Sequence, residues 1–189
     1  MIESLITDRT VEDARRAKYL AALRWDEMTE AEKAEWSGNL KAAYNFNDLN
    51  RVENAVRYLA DILQSLPPEL KAYAASLGVA WDSVFEGNYQ PEDLNLEIKT
   101  DWEIKDTPTG KDMERYLRNV VMLRNALNFV TDPLPSSMNN LTWQGANAIE
   151  QALKRLDTAI ILFRADAMAN MENASESWFF SGDIYAGEV

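Results

Sequence analysis

Phe46-Asn-Asp-Leu-Asn-Arg-Val-Glu-Asn-Ala-Val-Arg-Tyr-Leu59 reads as the opening of an amphipathic helix, with Leu49, Val52, Val56 and Leu59 three and four apart on one side. A second stretch, Trp143-Gln-Gly-Ala-Asn-Ala-Ile-Glu-Gln-Ala-Leu-Lys-Arg-Leu156, repeats its plan. Each has an aromatic residue, three further residues, then Asn-x-(Val/Ile)-Glu-x-Ala-(Val/Leu)-(Arg/Lys)-x-Leu, offset by 147 − 50 = 97 positions. Lys18-Tyr19-Leu20 and Arg115-Tyr116-Leu117 keep that offset, as do Thr10 and Thr107, which both suit helix caps.

A helical pair with one apolar face on each helix cannot bury itself, whereas two such pairs can bury both faces against each other. The expected fold is therefore mainly α: a single domain, residues 1–189, forming a bundle of about five to six helices built on two pseudo-repeated helical pairs. The quasi-repeats cover about 10–65 and 107–171, pack about a pseudo-twofold axis into a four-helix core, and place Tyr19 with Tyr116 and Val52 with Ile149 in equivalent positions.

Around this frame the punctuation is clear. Thr10 caps a first helix whose inner face runs through Val11, Ala14, Lys18, Ala21, Ala22 and Trp25, and Thr29 with Glu32 makes a capping box for a second, 29–43. Pro67-Pro68 should stop the central helix and open another over 69–77, ended by Gly78. Trp81, Val84 and Phe85 fit one more short helix, and the alternation from Leu94 to Ile104 predicts a small strand near 94–104. A helix follows Thr107 to about Val130, residues 131–141 form a Pro-rich loop, and Thr142 caps the last long helix, which should end near Met171. The tail Ser177-Trp-Phe-Phe-Ser-Gly-Asp-Ile-Tyr-Ala-Gly-Glu-Val189 reads as a short C-terminal β-ribbon, 177–189, around a Ser181-Gly182-Asp183 turn.

Composition narrows the chemistry. The 189 residues contain no Cys and no His, which removes disulfides, thiolate nucleophiles, Cys/His zinc sites and imidazole catalysis. A formal charge of −12 and a pI near 4.5 disfavour nucleic acid and anionic membrane as partners. The N-terminus carries Glu3, Asp8 and Arg9 where a signal peptide would be apolar, and no apolar run nears the roughly 20 residues of a membrane span. No Gly-rich phosphate loop occurs, and Asn45-Phe-Asn-Asp-Leu-Asn lacks the Gly and Glu of a calcium loop. No catalytic, cofactor-binding or metal residues are assigned, and no cofactor is expected.

Two groups of residues stand out. Asn50, Glu53, Asn147 and Glu150 form a symmetric polar set that could bind a cation or polar ligand; the structural reading, a local capping network at each helix start, is stronger. Among the aromatics, Trp25, Trp36 and Trp143 sit at helical spacing and are assigned to the core. Trp178, Phe179, Phe180 and Tyr185 are concentrated in the tail and are the candidate docking residues, packing on this chain's own helices or on a neighbour.

Leu5-Ile-Thr-Asp-Arg-Thr, Met28-Thr-Glu-Ala-Glu-Lys-Ala-Glu-Trp36, Ala43-Tyr-Asn-Phe-Asn-Asp-Leu-Asn-Arg-Val-Glu53, Thr100-Asp-Trp and the C-terminal Trp178-Phe-Phe-Ser-Gly-Asp-Ile-Tyr-Ala-Gly-Glu-Val189 together resemble an uncharacterised family. Its members are acidic, mostly helical proteins encoded among the tail and structural genes of bacteriophages and prophages, sometimes as modules of larger tail-associated proteins. The resemblance implies a non-enzymatic structural or tail-assembly protein that works by protein–protein contacts with other phage structural proteins or with itself. It also implies a location in the virion or the bacterial host cytoplasm. The alternative is a carbohydrate-binding or carbohydrate-cleaving module of a phage adhesion device, using exposed aromatics beside carboxylates on a glycan.

Overall fold

The computed structural model describes residues 2–38, 40–42, 44–80, 94–127 and 133–182, except for the side chains of 177–182. A 3-10 turn, Ile2–Ser4, leads into five helices: α1 Val11–Ala22, α2 Glu30–Ser37, α3 Phe46–Ser76, α4 Gly110–Ala126 and α5 Trp143–Gly182. The bundle is mainly helical, as the periodicity requires.

At about 1.5 Å per residue, the 31 residues of α3 and the 40 of α5 extend some 46 Å and 60 Å. They form the central pair, and α4 packs against both. One buried cluster runs through all three, including Val52, Val56, Leu59 and Leu63 from α3, Tyr116, Val120 and Leu123 from α4, and Ile149, Leu153 and Leu156 from α5. The paired stretches 46–59 and 143–156 lie in the central helices, with Val52 and Ile149 both fully buried.

The first helical pair departs from its expected place. α1 and α2 pack on one another at the side, and the buried Ala17, Leu20 and Met28 lie outside the main cluster. Tyr19 is 49% exposed while Tyr116 is 1% exposed, so the two are not equivalent and the core is three helices rather than four. The inner face of α1 is rotated from the expected one: Val11, Lys18, Ala21 and Ala22 are exposed. A helix of alanines and long charged side chains has too little apolar contrast to fix its facing, and Arg16 instead ties it to Glu35 of α2 at 2.7 Å.

The prolines do not stop α3. Pro67 and Pro68 lie inside it, half-buried and exposed, while Leu59, Leu63, Leu66, Leu70 and Ala74 continue one buried stripe across them. Contacts with α5 hold the distal part: Leu70 and Ala74 join the same buried cluster as Ala167 and Met171, Glu69 pairs with Arg164, and Tyr73 bonds Glu172. Tertiary packing thus outweighs the local cost of two residues without an N–H. The stop comes at Gly78, in the left-handed conformation (φ 70°), with Val79 N–H on Ala74 O at 3.0 Å and Gly78 N–H on Ala75 O at 3.2 Å.

Four further expectations are corrected. Residues 177–182 continue α5, so the C-terminal ribbon is replaced by helix; neither Gly nor Pro interrupts residues 146–181, and nothing in them halts the helix begun at Trp143. Residues 183–189, with Tyr185, lie outside the described residues, as does the helix expected around Trp81, Val84 and Phe85. Residues 94–104 are irregular, with no strand, because their backbone bonds go to side chains of other elements. The cap of α4 is Thr109, not Thr107, and α2 ends at Ser37.

Helices α1, α2 and α4 each begin with a complete capping box: Thr10 with Asp13, Thr29 with Glu32, Thr109 with Asp112. Hydrogen bonds from each Thr backbone and hydroxyl hold the three carboxyls below their ordinary values. A depressed folded-state pKa contributes stability above the unfolded value and loses it as pH falls. Stability therefore drops below about pH 4.5, and the triple variant Asp13→Asn, Glu32→Gln, Asp112→Asn flattens that fall in urea melts at graded pH. An unchanged acid limb would refute the assignment.

Replacing Pro67 and Pro68 by Ala removes an interior helix penalty of up to ~3 kcal/mol per residue, partly offset by a looser unfolded chain, for a net gain of about 1–3 kcal/mol. Thermal unfolding reads this as a higher midpoint; a lower one would mean that the prolines shape the contact with α5.

Candidate functional site

The symmetric Asn and Glu residues are buried or half-buried, and their bonds are long-range rather than local. Asn147 pairs with the backbone of Arg9: its Oδ1 accepts from Arg9 N–H at 3.1 Å and its Nδ2 donates to Arg9 O at 2.9 Å. One turn on, Glu150 Oε2 accepts from Ile6 N–H at 2.6 Å. Asn50 does the same with Trp102, Oδ1 accepting from its N–H and Nδ2 donating to its O, both at 2.8 Å, and Glu53 accepts from Lys99 N–H. An Asn-x-x-Glu on each central helix thus clasps an extended segment, residues 6–9 on α5 and residues 99–102 on α3, in the same register. The expected local capping is corrected: α3 is capped by Asn45 with Asp48, and at the start of α5 the Thr142 hydroxyl accepts from Gly145 N–H at 3.1 Å.

Each clasp is charge-balanced by arginine. Arg9, only 2% exposed, donates through Nη2 to Glu150 at 2.6 Å and Asp48 at 3.0 Å, through Nη1 to Ile6 O at 2.6 Å and through Nε to Lys41 O at 2.8 Å. Arg51 bonds the same two carboxylates. In the second clasp Arg115 lies 2.9 Å from Glu53 and also donates to Glu97 O. Burial pushes the Glu53 carboxyl up, against Arg115, which favours the ion. These guanidinium groups occupy the positions a bound cation would need, and among the described residues no group of acids is placed to hold a metal ion.

Beside the first clasp, the Tyr44 and Tyr116 hydroxyls share a hydrogen bond, the rings meet edge to face at 6.4 Å, and Arg9 lies 5.6 Å from the Tyr44 ring centre. Burial raises both phenol pKa values, so neither ionises near neutrality.

The aromatic residues are distributed differently from expectation. Trp25 and Trp36 are not core: they are 56% and 38% exposed, and Trp143 is half-buried. Trp25 and Trp36 share a cleft of about 710 Å³ with Tyr44, Phe46 and the otherwise buried Trp102, and Glu103 and Asp106 also line it. Each acid is matched by a lysine, Glu103 by Lys105 at 2.6 Å and Asp106 by Lys99 at 3.4 Å. The volume lies within the range of about 300–1,000 Å³ usual for small-ligand sites. Trp178, Phe179 and Phe180 fall in the last turns of α5, where no side chain is described; Tyr185 lies outside the described residues.

None of Arg9, Asp48, Arg51, Arg115 and Trp102 carries a site role in the sequence reading. A signal for two of them exists: Thr7-Asp8 precedes Arg9 and Thr100-Asp101 precedes Trp102, an offset of 102 − 9 = 93. Comparison with protein-family models, with curated proteins and with solved structures gives no match.

Truncating one member of a buried, hydrogen-bonded ion cluster strands its partners and costs about 3–5 kcal/mol. Glu150→Gln is therefore the more damaging change, and Asn147→Ala, which loses two bonds worth about 1 kcal/mol each, the milder. In Asn147→Ala, amide exchange accelerates at Arg9 while Trp102 stays protected; Asn50→Ala reverses the pattern. Equal protection in all three proteins would rule out the clasps.

Proposed function

We propose that this chain is a non-enzymatic module of a phage or prophage tail, serving assembly or attachment through surface contacts. The observation that carries this reading is how the titratable groups are spent. The buried carboxylates Asp48, Glu53 and Glu150 are each engaged by arginine and by backbone N–H groups, the arrangement of a scaffold rather than of a general acid or base with a free lone pair. Two exposed tryptophans, Trp25 and Trp36, share one cleft instead. Support from sequence comes from the resemblance carried by Leu5–Thr10, Met28–Trp36 and Ala43–Glu53.

The twin clasps also favour a chain assembled from two quasi-repeats, about 10–65 and 107–171, each led by an extended segment that its central partner helix grips. The two clasps cross over: the segment before α1 is held by α5, and the segment before α4 by α3. Each half therefore closes on the other, as one domain.

Phage particles purified from lysates of the source strain, with this chain quantified by mass spectrometry against the major tail proteins, test the proposal. The chain is expected in particles at a fixed ratio to those proteins. Recovery only from the particle-free fraction would overturn it.

A further inference from the structure

The cleft between the end of α2, the start of α3 and residues 102–108 has a composition that selects its ligand. We propose that it is a binding site for a neutral oligosaccharide, with the Trp25 and Trp36 rings as stacking surfaces. This deepens the contact-module reading and rests on it.

Three observations converge. Trp25 and Trp36 stand on separate elements, the turn after α1 and α2 respectively, yet open into one cleft at 56% and 38% exposure. Two indoles in one cleft are left facing solvent, and a flat apolar face suits the C–H face of a pyranose ring. Polar groups accompany the rings. The side chains of Asn45, Asn47 and Ser37 and the carboxylates of Glu103 and Asp106 line the cleft, supplying donors and acceptors for ring hydroxyls.

Charge then decides between ligand classes. A cationic proline-rich peptide would also use aromatic walls and acids, but it needs acids free to pair with it. Here Glu103 is paired with Lys105, and Asp106 shares Lys99 with Asp101, so each lining acid already has a cation with which a basic peptide would have to compete. An anionic ligand fares worse, since no Lys or Arg lines the cleft and the chain carries −12. A ligand with apolar faces, many hydroxyls and no charge fits both constraints. The lysine pairing also argues for binding without cleavage, because neither acid is an isolated, desolvated proton donor of the kind glycoside hydrolysis uses.

The full chain is applied to an array bearing neutral, sialylated and sulfated glycans, alongside a cationic proline-rich peptide. A neutral glycan that binds is then titrated by calorimetry against the wild type, Trp25→Ala/Trp36→Ala and Trp25→Phe/Trp36→Phe. Retention of neutral glycans only is expected, with affinity reduced roughly tenfold or more in the Ala pair and partly restored in the Phe pair. Trp36 is only 38% exposed, so the Ala pair also lowers the melting temperature, and affinities are compared well below the midpoint that a melt gives for each variant. Binding that survives the Ala pair, preference for acidic glycans, retention of the peptide alone, or no retention at all would each overturn the site. Particle fractionation decides the tail reading separately, so either proposal can fail without the other.

Discussion

The burial of Arg9 between Glu150 and Asp48 is the constraint on which the arrangement of this chain depends. A guanidinium that is 2% exposed is tolerable only when its donors are matched, and here they reach carboxylates on α3 and α5 and carbonyls at Ile6 and Lys41. The cluster therefore fixes, in one step, the relation of the first ten residues to both central helices and to the chain just before α3. Hydrophobic burial along α3, α4 and α5 drives collapse, but apolar stripes tolerate a shift by a turn; a buried ion cluster does not.

Much of this was legible because the central helices obey simple rules. The stripes at three and four residues, the cap at Thr10, the capping box at Thr29 and the Asn-x-x-Glu pair are local patterns, and local patterns survive folding. What escaped detection is non-local. Asn147 and Glu150 bond to residues 138 and 144 positions away, so a reading confined to one helix assigned them to caps that Asn45, Asp48 and Thr142 already supply. The repeat of Thr7-Asp8 at Thr100-Asp101 was hidden because it keeps an offset of 93 while the helices keep 97. The intervening chain has four more residues in the second half, which breaks a gap-free comparison.

The errors share a physical cause. Pro67-Pro68 and residues 177–182 were read by local propensity, and both lie on helices that continue. At the prolines the reason is explicit: Leu66, Leu70 and Ala74 gain burial against α5 that exceeds the lost backbone bonds. Trp25 and Trp36 were assigned inward by the average behaviour of tryptophan. Their outward placement follows from α1 and α2 packing on one another beside the bundle, a tertiary fact with no local signature.

The clasps and the cleft are one construction. Trp102 is gripped through its backbone by Asn50, and its side chain stands in the cleft wall. Tyr44 contacts Arg9 on one side, bonds Tyr116, and lines the same cleft. The wall carrying Glu103 and Asp106 is thus positioned by the α3 clasp, and the floor near Tyr44 by the α5 clasp. A recognition surface made from irregular chain would otherwise lose affinity to the cost of ordering it. Here the ordering is done during folding by buried polar groups with fixed directions, so the surface is preorganised. That gives the buried charges a role that stability alone does not explain: they hold still the part of the molecule that has no helix to hold it.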